Sequence, residues 1–549
     1  MPSGFPPRPP DRPRSCPCRR ESSRIFETCA AGPVGEPRPS NHRFTRPIEQ
    51  ILLSAQASPQ SVGPRAFARK RFASCGGSCC RSAPIAKAGD VGQARPGHGV
   101  SFFRIGSKAG KSPWRPLCPW IIGAVPSINS RIARITAALV EPYRDLHAHP
   151  ELSFAEHRTA AIIARRAKAL GYEVTEGVGG TGVVARLVNG PGPLVLLRAD
   201  MDALPVREQT GLSYSSTATD PDSGEPTMHA CGHDMHIVCL LGTLDALAAA
   251  RDQWSGTVLG VFQPAEETGH GARAMVDDGL FERFGTPEIV LAQHVLPIPV
   301  GTVATRAGAL LSANDSLRIT LHGRGGHSSR PETTIDPIIM AAATVLRLQT
   351  IVSREIAAAD QVVLTIGTLH AGTKDNIIAD EAQLGLSIRT YSPELRDRVL
   401  AAVRRIVHAE ADAAGADRPP TIETLTRLPI TFNDAAALDK TRAALRDALG
   451  AEQVLEMAAF PASEDVGNLA EAAGAPLSFW FFGGADPAKV AAAQERGTVD
   501  QDIPMNHSPY FAPLAEPTIN CGITAFTAAA VAWLDPSRTG DVSTSPRQA

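Results

Sequence analysis

The run Leu194-Val-Leu-Leu197 passes directly into Arg198-Ala-Asp-Met-Asp202, so four apolar residues are followed by one basic and two acidic side chains. Consecutive apolar residues of this kind are typical of a strand that is buried on both faces of a sheet. A helical pattern of apolar residues follows over 237–250. Strand and helix in alternation predict an α/β fold whose sheet is mostly parallel.

Two later segments repeat this arrangement of a buried strand with polar residues at its carboxyl end. Val258-Leu-Gly-Val261 leads to Gln263-Pro-Ala-Glu-Glu267, and Ile289-Val-Leu291 leads to Gln293-His294. Open α/β sheets bind their ligands beyond the carboxyl ends of the strands. Because three strands deliver polar side chains at that edge, the sequence predicts a functional site there.

A different pattern begins near residue 313. Residues 316–322 alternate between polar and apolar, and further helical or strand-like segments follow at 337–352, 361–369, 382–389 and 393–414. The order strand–helix–strand–strand–helix is typical of a small α+β sandwich. We therefore predict that this sandwich is inserted into the α/β domain, whose own pattern resumes after it.

These patterns divide the chain into five segments. The predicted boundaries are 1–125 for a basic extension, 126–312 and 425–536 for the two parts of the catalytic domain, 313–424 for the inserted domain, and 537–549 for a disordered tail. Residues 1–120 contain 20 Lys+Arg against 6 Asp+Glu and no sustained periodicity, which predicts disorder. Three interpretations of the extension stay open: a translated upstream stretch without a role, a targeting segment, or a zinc-binding or nucleic-acid-binding tail.

The composition of the remaining chain excludes several classes of function. Residues 121–549 contain 34 Lys+Arg against 50 Asp+Glu, so we expect neither a nucleic-acid nor a membrane partner. Three of the ten cysteines lie in this part, which is typical of a reducing compartment, and we expect a cytoplasmic protein. The sequence contains no run of 18 apolar residues, so no transmembrane helix is predicted.

The stretch Met228-His-Ala-Cys-Gly-His-Asp-Met-His236 carries candidate metal ligands. Cys231 and His233 precede a helix, and a thiolate and a neutral imidazole are good ligands for Zn²⁺ and similar divalent ions. The alternative is a buried thiol beside a helix start, at which Asp234 caps free backbone amides. His236 also has the spacing of a ligand, but we interpret it as a helix residue behind the site.

Glu266 and Glu267 are adjacent carboxylates in a loop, so their side chains point in different directions. One of them can bind metal while the other accepts a proton from metal-bound water, as hydrolytic metal catalysis requires. Two histidines add candidate ligands. His294 ends the third strand, and His507 stands far downstream in Met505-Asn-His-Ser-Pro509.

The inserted domain offers candidates for substrate binding. Gly323-Arg-Gly-Gly-His-Ser-Ser329 is a glycine-rich turn that presents His327, but it lacks the pattern of a phosphate-binding loop. Asn376 and Arg389 lie near strand ends. The guanidinium of Arg389 can bind a substrate carboxylate through two parallel hydrogen bonds.

Four segments, together and in order, resemble the M20 metallopeptidase family, in particular its amidohydrolase branch of hippurate hydrolases and indole-acetyl-amino-acid hydrolases. The segments are 146–154, 198–205, 228–236 and 263–267. The resemblance implies a catalytic domain that binds two divalent ions (Mn²⁺, Zn²⁺, Ni²⁺ or Co²⁺) and an inserted lid that mediates homodimerisation. Two departures, Pro331-Glu332 and Asn376-Ile-Ile-Ala-Asp380, lie in the lid and concern substrate details.

The resemblance also implies roles for individual residues. The implied metal ligands are Cys231, His233, Glu267, His294 and His507. Glu266 would be the general base, and Asp200 would orient a metal-bound imidazole from behind. His327 would reach the active site of the partner subunit and stabilise the oxyanion. Asn376 and Arg389 would bind the substrate carboxylate or the developing oxyanion.

We therefore expect a metal-dependent amidohydrolase that acts on linear amides and hydrolyses small N-acyl amino acids. A dipeptidase, a carboxypeptidase or an N-acetyl-diaminopimelate deacetylase on the same fold is the nearest alternative. The Cys231/His233 pair favours the amidohydrolase branch, because the peptidase branches generally carry His-x-Asp where Arg198-Ala-Asp200 stands here. A non-catalytic binding scaffold is the alternative of another class, and the complete set of ligands argues against it.

Overall fold

The computed structural model describes residues 126–534, and their side chains from Arg131 onward. Within this range the strands form two main sheets, which helices cover. The predicted extension 1–125 and tail 537–549 lie outside the described residues. The helices are α1 (Pro126–Ala148), α2 (His157–Ala169), α3 (His233–Ala249), α4 (Gly271–Asp277), α5 (Leu280–Phe284), α6 (Pro337–Thr350), α7 (Pro393–Ala413), α8 (Ala435–Leu449), α9 (Gly467–Ala473), α10 (Pro487–Arg496), α11 (Val499–Asp502) and α12 (Ala515–Leu534). The strands are β1 (Glu173–Val178), β2 (Gly182–Asn189), β3 (Leu194–Asp200), β4 (Gly256–Gln263), β5 (Ile289–Pro299), β6 (Val303–Thr305), β7 (Gly308–Leu311), β8 (Ala313–His322), β9 (Gly326–His327), β10 (Val362–Ala371), β11 (Ile377–Ile378), β12 (Glu381–Thr390), β13 (Thr421–Leu428), β14 (Thr431–Asn433), β15 (Val454–Glu456) and β16 (Leu477–Ala485).

The larger sheet contains eight strands in the order β1-β2-β4-β3-β5-β16-β6-β15. β3 is parallel to β4 and to β5, and β16 is parallel to β5. β1, β2 and β4 are joined by antiparallel pairs. The four central strands therefore end at the same edge, and the sheet with its helices confirms the predicted α/β class.

The central strand β3 is buried on both faces, as its apolar run predicts. Val195 and Leu197 belong to the core on the side of α3, whereas Leu196 packs with Leu259 and Val290 on the opposite side. Side chains alternate between the two faces of a strand, and helices cover both faces here. Every position of the run is therefore apolar instead of every second one.

Helix α12 is the one helix within residues 126–534 that is long and apolar enough to cross a membrane. However, 67% of its apolar window is buried inside the fold, where the helix packs against α1 and α3. This burial is typical of the central helix of a globular domain.

The smaller sheet contains four antiparallel strands in the order β10-β12-β8-β13. Every second residue of β8 is buried, among them Ile319 and Leu321. These side chains pack against Met340 of α6 and Val403 of α7. A sheet with both helices on one face is the predicted α+β sandwich.

The limits of the smaller sheet are set by strand pairing. β8 begins at Ala313, and β13 continues to Leu428 because Leu428 still pairs with Asn314. The predicted boundary after residue 424 therefore falls inside a strand.

The loop between β4 and α4 requires glycine at residue 271. A Cβ atom on Gly271 would lie 1.5 Å from the carbonyl oxygen of Pro264. We expect Gly271→Ala to lower the free energy of unfolding by about 1–3 kcal/mol, because the backbone of Pro264 must move. Urea unfolding of the full chain measures this change.

Gly367→Ala in β10 is the matched control, since its Cβ would meet only the carbonyl oxygen of Gly385 at 3.9 Å. We expect a change within about 0.5 kcal/mol for this variant. Equal unfolding midpoints for the two variants would contradict the close approach at Gly271.

Candidate metal and catalytic site

Five side chains that the sequence indicates as metal ligands converge at the carboxyl edge of the larger sheet. They are Cys231, His233, Glu267, His294 and His507. Cys231 Sγ lies 3.4 Å from His294 Nε2. Glu267 Oε1 lies 3.8 Å from His233 Nε2 and 3.4 Å from His507 Nε2.

These separations are those of atoms that bind a shared ion. With metal–ligand bonds of about 2.0–2.3 Å in tetrahedral geometry, ligand atoms lie roughly 3.3–3.8 Å apart. One atom each of Cys231, His233 and Glu267 lies within 4.8 Å of the other two. Cys231 therefore has His233, Glu267 and His294 as neighbours within this group.

Two of these donor atoms, His233 Nε2 and Glu267 Oε1, are buried without a hydrogen-bond partner. Such an atom costs about 1–3 kcal/mol unless something binds it. His294 donates from Nδ1 to the carbonyl oxygen of Val295 at 2.8 Å, so its lone pair is on Nε2, which lies 3.4 Å from Cys231 Sγ. Burial and the neighbouring His236 lower the pKa of His294, so its imidazole is in the neutral form that binds metal. The residues present therefore fit divalent ions.

The ring of His233 is oriented by Asp202. Asp202 Oδ1 accepts a hydrogen bond from His233 Nδ1 at 3.2 Å, while Oδ2 accepts from Ser153 Oγ at 2.7 Å and from the Glu267 amide at 3.0 Å. The contact predicted for Asp200 is thus made by Asp202. β3 ends at Asp200, and the chain beyond the strand brings Asp202 to the start of α3.

Asp200 orients His236 instead. His236 Nδ1 donates to Asp200 Oδ1, and His236 Nε2 accepts the amide of Val295 at 2.8 Å. Asp200, His233, His236 and His294 also lie close enough together to hold an ion. However, both ring nitrogens of His236 are already engaged, so we place His236 behind the site and not among the ligands.

The candidate base Glu266 stands in a loop with unusual backbone geometry. Ala265 has a φ of 48°, which is costly for a residue other than glycine, and its amide donates to Glu156 Oε1 at 2.9 Å. Burial and the nearby carboxylates Glu464 and Glu267 raise the pKa of Glu266 well above its usual range. A raised pKa suits a carboxylate that must accept a proton near neutral pH.

Glu464 and Asp465 form an acidic pair that no predicted motif includes. One oxygen of each lies within 4.8 Å of Glu266, and the buried guanidinium of Arg198 pairs with them at 2.7 and 3.0 Å. Burial raises the pKa of Asp465 to about 8, with Glu464 acting in the same direction and Arg198 against it. Adjacent acids directly before the apolar Val466 are the signal that could have indicated this pair.

The three lid residues lie at two separate places. His327 pairs with Ile377, and the Ser328 amide donates to the Asn376 carbonyl oxygen at 3.1 Å, so His327 and Asn376 are exposed neighbours. Arg389 lies near the other end of β12. Its Nη1 donates to the Pro461 carbonyl oxygen at 2.9 Å and to Ser463 Oγ at 3.0 Å, both in the catalytic domain.

Comparison with known sequences agrees with this geometry. The sequence profile of Peptidase family M20/M25/M40 matches residues 196–506. The hippurate hydrolase of Campylobacter jejuni is 38% identical over 330 residues, which are 59% of this chain and 83% of that protein. Thermostable carboxypeptidase 1 of Saccharolobus solfataricus is 37% identical over 297 residues, which are 53% of this chain and 73% of that protein.

A solved structure shares the fold. It is a Bacillus subtilis protein described as a dinuclear metal binding peptidase from the M20 family, with a TM-score of 0.59 and 30% identity. The match covers 73% of this chain and 99% of that chain. The family resemblance is therefore confirmed, and so is the prediction of an enzyme that hydrolyses amide bonds. This chain belongs to Peptidase family M20/M25/M40.

Proposed function

We propose that this protein hydrolyses the amide bond of N-acyl amino acids and binds two divalent metal ions for the purpose. The ligands are Cys231, His233, Glu267, His294 and His507. The observation that carries the proposal is the pair of buried, unpartnered atoms His233 Nε2 and Glu267 Oε1, 3.8 Å apart. When bound, the ions lower the pKa of a water molecule and polarise the substrate carbonyl. The dinuclear relative from Bacillus subtilis supports this assignment.

Glu266 carries out the proton transfers. It accepts a proton from the attacking water and returns it to the leaving amine. Its environment suits both steps, because burial and Glu464 raise its pKa and favour the protonated form between them. Asp202 keeps His233 and the amide of Glu267 in place during the reaction.

Arg389 recognises the carboxylate of the substrate. It lies at the junction of lid and catalytic domain, and its neighbour Ser463 offers a hydroxyl beside it. A carboxypeptidase is the second candidate, since the relative from Saccharolobus solfataricus carries that name and its substrates also end in a carboxylate. A screen of N-acetyl, N-benzoyl and indole-acetyl amino acids against blocked dipeptides distinguishes the two.

The positions of the lid residues favour a homodimer that shares its active sites. Glu381, beside the His327 turn, and Arg389 are eight residues apart on β12, roughly 26 Å at about 3.3 Å per residue. One lid therefore cannot place His327 and Arg389 on the same small substrate. We assign Arg389 to the site of its own subunit, and His327 and Asn376 to the site of a second copy.

The lid also carries a surface that suits a second copy. β10 is an edge strand without charged side chains, and its Val363 and Leu369 are 46% and 47% exposed. Ile339 and Leu346 of the neighbouring α6 are 67% and 73% exposed. An uncharged edge strand beside exposed apolar residues is a ready surface for pairing with another chain.

We also propose a cytoplasmic location. The cysteines within the described residues, Cys231, Cys239 and Cys521, are buried and free. A free thiol at the centre of a metal site functions best where disulfides are kept reduced.

Glu266→Gln tests the general base. We expect kcat to fall by about 10²–10⁴-fold, because no other group replaces the proton transfers, while the metal content per subunit stays unchanged. Hydrolysis of N-benzoyl amino acids and elemental analysis measure the two quantities. Glu471→Gln, an exposed substitution on α9, is the control. Full activity of Glu266→Gln would reject the assigned base, and purified wild-type protein that takes up no divalent ion would reject the metal site.

Mixing of inactive subunits tests the shared site. His327→Ala and Glu266→Gln homodimers are each expected to be nearly inactive. A heterodimer has one site with both residues intact, so random exchange restores about one quarter of the wild-type activity per subunit. If heterodimers form and the activity does not rise, His327 does not act on the partner subunit.

A further inference from the structure

Arg198 is a buried charge that the proposed mechanism does not use. It is 1% exposed, and all of its side-chain nitrogens donate to acceptors on other residues. Nε donates to Gln263 Oε1 at 2.9 Å, Nη1 to Asp200 Oδ2 at 2.6 Å, and Nη2 to Glu464 Oε1 at 2.7 Å and Asp465 Oδ1 at 3.0 Å. We call these five residues the buried arginine cluster.

One branch of the cluster leads to a metal ligand. Asp200 accepts from His236, and His236 accepts the amide of Val295. The carbonyl oxygen of the same Val295 accepts from His294 Nδ1. A continuous series of hydrogen bonds and the backbone of one residue, Val295, therefore joins the guanidinium of Arg198 to the ring of His294.

The other branch leads to the loop of the candidate base. Asp465 accepts from Gln263 Nε2 at 2.7 Å, where the loop begins, and from the amide of Ala272 at 2.9 Å, where it ends. Between these two points lie Glu266 and Glu267. Glu464 and Asp465 also lie within 4.8 Å of Glu266.

We propose that Arg198 is a positioning residue of the hydrolytic site, which sets the metal ligand His294 and the base Glu266 relative to each other without touching the substrate. Arg198 lies on β3, in the part of the catalytic domain that precedes the inserted lid. Glu464 and Asp465 lie in the part that follows the lid. The guanidinium therefore joins the two halves of the catalytic domain directly behind the reacting groups. This inference rests on the proposed function, in which Glu266 is the base.

The shape of the guanidinium matters as well as its charge. Its three coplanar nitrogens form a fork that donates to four different residues. The single ammonium nitrogen of a lysine, on a flexible stem, cannot reproduce this arrangement. Loss of the fork leaves buried carboxylates unpaired, and these must move or take up protons. Either response releases Asp200, which the guanidinium binds directly, and changes the position or charge of Glu464 and Asp465 beside Glu266.

Arg198→Lys tests the proposal in the full-length, metal-loaded enzyme. We expect kcat to fall by about 10–100-fold and the affinity for Zn²⁺, measured by chelator competition, to fall by a similar factor. KM is expected to stay within about twofold, because a residue that is 1% exposed does not contact substrate. With kcat expressed per folded subunit, this split between kcat and KM, together with weaker metal binding, distinguishes positioning from a loss of substrate binding.

Arg396→Lys is the matched control. Arg396 of α7 is also buried and holds Asp315 through two hydrogen bonds of 2.8 Å, but this pair lies in the lid. Both variants lose a buried arginine fork, so both are expected to unfold at lower urea concentration. Wild-type kcat and Zn²⁺ affinity in folded Arg198→Lys, or losses equal to those of Arg396→Lys, would overturn the proposal.

Two further variants keep the test decisive if Arg198→Lys does not fold. Asp465→Asn is expected to affect kcat more than Zn²⁺ affinity, and Asp200→Asn is expected to affect Zn²⁺ affinity more. If the loss of kcat relative to the loss of Zn²⁺ affinity is the same in both variants, the two-branch arrangement is overturned. Activity of Glu266→Gln would reject the general base, yet the Zn²⁺ measurements would still report on the branch to His294.

Discussion

The shared carboxyl edge of the central strands is the constraint on which the rest of the structure depends. β3, β4, β5 and β16 run in the same direction, so the residues that follow them meet without any long excursion of the chain. Asp202 and Glu267 follow β3 and β4 and reach the site in this way. His294 does not end its strand, as the sequence predicts, but lies within β5, which continues to Pro299. Two further segments complete the site at this edge: the turn before α3 and the loop that carries His507. The His507 amide donates to the Ala230 carbonyl oxygen at 2.8 Å and fixes one loop to the other.

A second constraint is the burial of charge. The site gathers Asp200, Asp202, Glu266, Glu464 and Asp465, all of them nearly inaccessible to water. Buried carboxylates are costly unless donors or cations surround them. Arg198 compensates the buried negative charge on one side of the site, and imidazole and backbone N–H groups do so on the other. The donor atoms between them are available to metal ions. Stability and chemistry therefore depend on the same few contacts.

The proposed homodimer follows from the positions of the candidate residues in the inserted lid. Its four-stranded sheet holds Arg389 of β12 against the catalytic domain, whereas His327 and Asn376 lie at the separate β9–β11 pair, which precedes the other end of β12. A rigid strand of ten residues keeps these groups apart in every conformation of one lid. In the proposed homodimer, a partner with the same sequence would supply the missing group to each site, as a symmetric assembly allows.

Much of this architecture follows from the sequence by itself. The apolar runs 194–197, 258–261 and 289–291 determine buried strands, because a strand covered on both faces needs apolar side chains at every position. The period-two pattern of 316–322 determines a sheet with one covered face. The donor Glu267 follows one of these runs, and Cys231 and His233 precede the predicted helix. Their chemical types already indicate a site for divalent ions.

Other features were decided by the tertiary structure alone. Asp200 and Asp202 are the same type of residue in the same motif. Their contacts differ because β3 ends at Asp200 and the chain then changes direction. Arg198 and Glu464 are 266 positions apart, and no local pattern relates them. The separation of His327 from Arg389 likewise depends on strand order. The physical reason is common to all three: periodicity and residue type record local conformation, whereas contacts between distant segments exist only once the sheet has brought those segments together.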